Sequence, residues 1–226
     1  GEAPKDKSSI FDGTDTSWNR VKGGKPIGEL LAIIASEYDF KNPSASIPNL
    51  AKAYTMIQSL DENHWKPIKS EEIKKTIAAC AGLYLEAVAG NQEATQGSSI
   101  KLKLEAINRS PIPMQLLSLI TFPNQKNIIQ NRDLKNNVLQ NISLDLPLPE
   151  TLEYTQPYWL KEKRSIGMYQ VSNQKNIGVP DIIRDLKVIF NLIINGIEIP
   201  FERTVVYKYN DDVKGEMYRF LDIAPE

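Results

Sequence analysis

The spacing of apolar residues changes along the chain and divides it into two parts. From Lys25 to Gly90 the apolar residues recur at helical spacing, which predicts three amphipathic helices. The first two are predicted around Pro26 and after Pro48, because proline suits the first turn of a helix. The third is predicted from Ser70, a suitable N-cap, to Gly90, a suitable C-cap. The apolar stripes are Ile27, Leu30, Leu31, Ile34 and Tyr38, then Leu50, Ala53, Tyr54, Ile57 and Leu60, then Ile73, Ile77, Cys80, Ala81, Tyr84 and Val88.

After Gln92 the apolar residues alternate with polar ones, which is typical of strands with one face in water. The pair Asn195-Gly196 separates two apolar runs, and both residue types tolerate the positive φ angles of a type I′ turn, so a tight hairpin is predicted there. The Asn-rich residues 124–141 are interpreted as a long polar connection. The strands predicted in this way are residues 99–108, 115–122, 140–146, 167–171, 188–194, 197–207 and 217–223.

The two periods together predict an α+β protein. Short strands at regular spacing, without amphipathic helices between them, favour an antiparallel immunoglobulin-like β-sandwich after an N-terminal three-helix unit. We expect residues 1–24 to form an extended lead or linker, residues 25–92 the helical unit, and residues 97–226 the sandwich.

Charge and hydropathy narrow the classes of partner. The chain has 27 Lys and Arg against 28 Asp and Glu, which gives no electrostatic reason to expect nucleic acid or an anionic membrane as a partner. Lys161, Lys163 and Arg164 are interrupted by Glu162 and are interpreted as a solvated surface. The longest apolar runs, such as residues 188–194, are too short for a membrane helix, so we expect no membrane span.

The chain is poor in histidine and cysteine, the side chains that most often act as metal ligands and nucleophiles. The chain has one histidine, His64, and one cysteine, Cys80. A hydrolytic zinc site takes three protein ligands, commonly with several histidines, so we expect no metal site, no cofactor and no catalytic residue. His64 is interpreted as a surface loop residue, and Cys80, on a helical apolar stripe, as a small hydrophobic residue rather than a nucleophile.

Aromatic residues are the best candidates for a ligand site. The densest group is Tyr154, Tyr158 and Trp159, and Trp65 is a further candidate. Exposed tyrosine and tryptophan rings stack on sugar rings, which makes carbohydrate a candidate ligand. The alternative is that these rings cap the open end of the sandwich core or join it to the helical unit. The sequence leaves both interpretations open.

Four segments together resemble a known family. They are residues 11–20 (FDGTDTSWNR), 77–87 (IAACAGLYLEA), 104–110 (LEAINRS) and 204–219 (TVVYKYNDDVKGEMYR). They resemble the region that follows the catalytic domain in large bacterial PIG-L (LmbE-like) deacetylase proteins, and the likeness spans about residues 9–225. The catalytic domain of that family resembles enzymes that remove acetyl groups from N-acetylglucosamine-type substrates, and it holds zinc with an HPDD-type motif and further histidines. None of that motif occurs in this chain.

The resemblance implies a non-catalytic accessory module of a larger deacetylase. Such a module is expected to dock on the catalytic domain of the same parent chain and to help position substrate or glycan. The resemblance also implies a periplasmic or secreted protein. The alternative function is a structural or protein-interaction module without a ligand site.

Overall fold

The computed structural model describes residues 14–61, 64–179, 182 and 184–225. The first two predicted helices are confirmed, with Pro26 and Pro48 in their first turns. A third helix follows, and short 3-10 turns lie at Trp18–Arg20 and Pro43–Ser46. The helices are α1 (Lys25–Ser36), α2 (Ile47–Gln58) and α3 (Trp65–Ala81).

The third helix differs from its prediction at both ends. It begins at Trp65, and Ser70 lies buried inside it rather than at its N-cap. It ends at Ala81 because Gly82 adopts a left-handed φ of 55° and closes the helix with its backbone N–H. The residues expected to continue the helix to Gly90 instead form strand β1 (Tyr84–Ala89), which pairs with a strand from the predicted sandwich.

The described residues after α3 form mainly antiparallel sheets. Besides β1, the strands are β2 (Glu93–Ala94), β3 (Ser99–Ile107), β4 (Met114–Thr121), β5 (Lys126–Asp133), β6 (Gln140–Pro147), β7 (Lys187–Ile194), β8 (Ile197–Thr204), β9 (Val206–Asp211), β10 (Gly215–Phe220) and β11 (Asp222–Ile223). The larger sheet has five strands in the order β10-β9-β1-β3-β6, and the second has four in the order β5-β4-β7-β8. Strands β2 and β11 pair separately, and the β1–β9 and β2–β11 pairs are parallel.

Several strand predictions need correction. The region 124–141, expected to be a connection, contains β5, whose residues are mostly exposed because it lies at the edge of its sheet. Residues 167–171 form a loop and not a strand, and only an isolated bridge joins Ser165 to Met168. The predicted strands 197–207 and 217–223 are each divided into two. The hairpin at Asn195-Gly196 is confirmed, with φ angles of 50° and 80°.

Helices and sheets share one hydrophobic core. Strands β3 and β7 alternate between buried and less buried positions, as strands with one inward face do. The buried cluster includes Ile77 of α3, Leu104 of β3 and Phe190 of β7, each fully buried. The α+β class, with three N-terminal helices before mostly antiparallel sheets, is therefore confirmed. The division into residues 25–92 and 97–226 stays a prediction.

Candidate functional site

The predicted aromatic group lies in the irregular segment between β6 and β7. Tyr158 and Trp159 are on a 3-10 turn, Tyr158–Leu160, and their rings meet edge to face with centroids 4.9 Å apart. Both side chains are half-buried, whereas Tyr154 is 44% exposed. These rings therefore pack partly on each other and offer less open face than a sugar platform needs.

A small cavity lies beside Tyr154. Its polar lining includes Thr155, Lys161 and Arg184, and the Arg184 guanidinium donates to the Asp222 carboxylate. The cavity volume of about 30 Å³ has room for about two waters at roughly 10–15 Å³ each and not for a sugar ring. The cavity thus supports a bound water or two rather than a glycan.

Trp65 lies in the helical part of the molecule. The Arg20 guanidinium is 4.2 Å from the Trp65 ring centroid, and the His64 ring meets the indole edge on at 4.7 Å. Trp65 lines a recess of about 250 Å³ with Trp18, and this recess shares no lining residue with the cavity at Tyr154. The four aromatic candidates therefore do not line one common pocket.

A wider cleft opens on the five-stranded sheet where β1 ends, and the sequence did not predict it. Its floor is Val88 to Gly90, and its walls come from β3 and β6 on one side and β9 on the other. Its volume of about 590 Å³ falls within the roughly 300–1,000 Å³ typical of ligand sites. We call it the sheet cleft, and its polar lining is Lys101, Lys103, Ser143, Asp145, Tyr207 and Lys208.

Strand register brings the polar groups of one wall together. Lys101 on β3 lies opposite Asp145 on β6, and Lys103 lies opposite Ser143. Within the described part of the chain, neither Lys101 nor Asp145 takes part in an ion pair. An ammonium group, a hydroxyl and a carboxylate are thus left free to bind a ligand at this wall.

The charged residues next to this wall form ion pairs with one another. Glu86 on β1 and Glu105 on β3 are directly opposite in the sheet, where like charges repel. Lys103 Nζ lies 2.6 Å from the Glu105 carboxylate, and Lys208 Nζ lies 2.9 Å from that of Glu86 and 3.4 Å from that of Glu216. The two lysines offset the repulsion, and these contacts fix their positions at the margin of the sheet cleft.

This network shifts the ionisation of its members. Burial acts to raise the pKa of Glu86, but hydrogen bonds from Lys208 and Tyr84 outweigh it, so the net pKa is lowered. The hydrogen bond to Glu86 raises the pKa of Lys208. Burial and then the hydrogen bond to Glu86 raise the pKa of Tyr84 to about 12. All three groups therefore keep their ordinary charge states near neutral pH, which favours a binding role over proton transfer.

Strand β9 also carries an aromatic pair, on the face turned away from Lys208 and the charged groups of the sheet cleft. Tyr207 and Tyr209 alternate along β9, and their rings stack with centroids 6.0 Å apart and an interplanar angle of 16°. The Arg219 guanidinium lies 5.3 Å from the Tyr209 centroid. The Tyr-Lys-Tyr alternation in residues 204–219 was a visible sequence signal, because alternate residues of a strand share a face.

No group of three or more His, Cys, Asp or Glu side chains in residues 14–61, 64–179, 182 and 184–225 is placed to hold a metal ion. In the same residues, no helix combines the length and the apolar character needed to cross a membrane.

Comparison with known proteins gives no family assignment. No protein-family model and no curated protein matches the chain. Among solved structures, a match is found to the Pseudomonas fluorescens alkylpurine DNA glycosylase AlkC bound to DNA containing an abasic site analog. It has a TM-score of 0.27 and 11% identity, and it covers 78% of this chain. The match spans 50% of the length of that glycosylase.

Proposed function

We propose that the chain is a non-catalytic accessory module of a larger PIG-L-like N-acetyl sugar deacetylase, and that its sheet cleft helps to position substrate or glycan. The resemblance of four sequence segments supports the parent protein, the docking on its catalytic domain and a periplasmic or secreted location. The single observation that supports the ligand site is the juxtaposition of Lys101 and Asp145, neither of which takes part in an ion pair within the described residues, on one wall of a cleft of about 590 Å³.

Carbohydrate is the ligand class that suits this arrangement. A sugar ring presents hydroxyl donors and acceptors around its edge and apolar C–H groups on its faces. Asp145 accepts hydrogen bonds from hydroxyls, Lys101 donates to them, and Val88, which lies opposite Lys103 on the same face of the sheet, supplies apolar area. The group at Tyr154, Tyr158 and Trp159 has less support as the platform because its rings pack on each other and its cavity is small.

Binding of N-acetylglucosamine oligomers tests the proposal. We expect weak, saturable binding by calorimetry or NMR titration, and about a tenfold or greater loss for Lys101→Gln and for Asp145→Asn, since each removes a principal contact. Lys101→Arg, which keeps the cation, is expected to retain most of the affinity.

Tyr158→Ala is the matched control outside the sheet cleft. It is expected to bind as the unmodified protein does. Loss in Tyr158→Ala with retention in Asp145→Asn would contradict the assignment of the sheet cleft and move the site to the aromatic segment. Absence of binding by the unmodified protein to these oligomers would contradict the glycan role.

The alternative is a structural or protein-interaction module without a ligand site. It is favoured by an apolar groove of about 310 Å³ on the helical part, lined by Trp18, Leu31, Ile34 and Ile73. In this alternative the catalytic domain of the parent chain covers the groove. The glycan-binding experiment separates the two functions, because a module without a ligand site binds no N-acetylglucosamine oligomer.

We further propose that the two larger sheets form an immunoglobulin-like sandwich. The shared core of β3 and β7 and the mostly antiparallel pairing within the two sheets support it. An experimental structure in which the inward faces of the two sheets do not pack on each other would contradict it.

A further inference from the structure

The loop between residues 162 and 172 has a closed base. The backbone N–H and the hydroxyl of Ser172 both donate to the Glu162 carboxylate, each at 2.8 Å. These two hydrogen bonds tie the ends of the loop together across ten residues of chain. The two bonds also occupy both oxygens of Glu162, which is the acidic residue of the loop.

The tip of the loop is a tight turn that projects an isoleucine. The Ser165 N–H donates to the Met168 carbonyl at 3.1 Å, and Gly167 has a φ of 84°, which glycine adopts without strain. This places Ile166 and Gly167 at the end of the loop. Ile166 is fully exposed, and Met168 and Tyr169 are 72% and 56% exposed.

Apolar, aromatic and basic side chains follow one another from the tip towards the base. Ile166 and Met168 are at the tip, Tyr169 is one step back, and Lys163 and Arg164 follow on the other arm, both exposed. No acidic residue occurs from 163 to 179. The order matches the depth profile of a bilayer with anionic lipids, which runs from hydrocarbon through an aromatic-rich interface to phosphate and carboxylate headgroups.

We propose that this loop, here called the 162–172 loop, is a membrane-surface anchor that inserts Ile166 and Met168 into a bilayer containing anionic lipids. Lys163 and Arg164 then lie at the headgroups, where this local pair supplies the attraction to anionic lipid that the near-zero net charge of the whole chain does not. The pre-formed turn and the Glu162–Ser172 closure reduce the conformational entropy lost on insertion. The anchor is independent of the sheet cleft, since the two have no residue in common.

Co-sedimentation with vesicles tests the proposal. The full chain is expected to sediment with phosphatidylcholine vesicles that contain phosphatidylserine, more weakly with phosphatidylcholine alone, and less as salt is raised, because salt screens the basic pair. Ile166→Asn with Met168→Gln is expected to lower the partition coefficient by about tenfold or more. Lys163→Gln with Arg164→Gln is expected to remove the preference for the anionic vesicles.

Val213→Asn is the matched control, because Val213 is 92% exposed in the turn between β9 and β10. It is expected to sediment as the unmodified protein does. No sedimentation of the unmodified protein with anionic vesicles would overturn the proposal. So would unchanged binding in the tip variant, or an equal loss in Val213→Asn. Circular dichroism of each variant shows that it is folded before its binding is measured.

Discussion

At the scale of single residues, the sheet cleft depends on how two like charges on neighbouring strands are neutralised. Glu86 and Glu105 are opposed across β1 and β3, and Glu86 is only 8% exposed. Lys208, more than a hundred positions further along the chain, resolves the conflict at Glu86. The sequence did not reveal this pairing, because it predicted Glu86 to be in a helix and gave no sign that β9 lies beside β1.

The same cluster predicts a loss of stability at alkaline pH. The pKa of Tyr84 is raised from 10.0 to about 12, so the folded state keeps a proton that the unfolded state loses. The stabilisation is present below pH 10.0 and is lost as the pH rises to about 12. The raised pKa of Lys208 acts in the same direction above pH 10.5. We therefore expect the urea midpoint to fall between pH 10.0 and about pH 12, the window of the Tyr84 titration.

Tyr84→Phe is the control for the alkaline effect. It removes the ionisable hydroxyl and keeps the ring, so its urea midpoint is expected to fall less over the same pH interval. Tyr38→Phe, at a ring that is 50% exposed, is expected to leave the fall unchanged. An equal fall in Tyr84→Phe and the unmodified protein would show that Tyr84 does not contribute.

At the scale of elements, local signals identified most of the structure and failed where tertiary pairing decided the outcome. Helices α1 and α2 and the hairpin at Asn195-Gly196 have their signals within a few residues, and all three are confirmed. Tyr84 and Val88 lie at helical spacing from Ile77, so the pattern ran on into β1. The spacing at Tyr84 and Val88 fits a helix, and the segment is a strand because it pairs with β3, a contact that the spacing does not show.

Gly82 ends α3 in the structure, whereas Gly90 is the C-cap predicted from the sequence, and substituting each one tests which of them ends the helix. Gly82 has a left-handed φ of 55°, and a Cβ there would lie 3.0 Å from Arg109 Cβ. Gly90 has ordinary φ, and a Cβ there would meet nothing closer than 3.8 Å. We expect Gly82→Ala to lower the free energy of unfolding by about 1 kcal/mol or more. Gly90→Ala is expected to change it by less than about 0.5 kcal/mol.

Chemical denaturation of both variants measures this difference. If Gly90→Ala lowers the free energy of unfolding more than Gly82→Ala does, the result would contradict a helix end at Ala81 and favour the longer helix predicted from the sequence. Equally small changes in the free energy of unfolding would mean that neither glycine is required by its backbone conformation.

At the scale of the whole molecule, the candidate site was the least predictable feature. The aromatic group at Tyr154, Tyr158 and Trp159 is dense in sequence, and density is visible without a structure. The sheet cleft instead combines Lys101, Asp145 and Lys208 from three different strands. Its existence follows from the order β9-β1-β3-β6, which no periodicity specifies because alternation fixes the face of a strand but not its neighbour.

The shared core makes a prediction about how the whole chain unfolds. Ile77 of α3 and Leu104 of β3 are both fully buried in one contiguous cluster. Truncating either to alanine is expected to cost about 2–5 kcal/mol. Because the cluster joins helices and sheets, both variants are expected to lower the midpoint of one common transition, followed by far-ultraviolet circular dichroism and by tryptophan fluorescence.

Ile129→Ala, at a side chain that is 61% exposed on β5, is the control and is expected to shift that transition by less than about 0.5 kcal/mol. Two separate transitions, with Ile77→Ala moving only one of them, would contradict a common core and favour independent units at residues 25–92 and 97–226. A single transition moved by both core variants would instead mean that the helices stabilise the sheet that carries the cleft. Docking of the helices on a partner would then be coupled energetically to the ligand site, since both would depend on the same buried contacts.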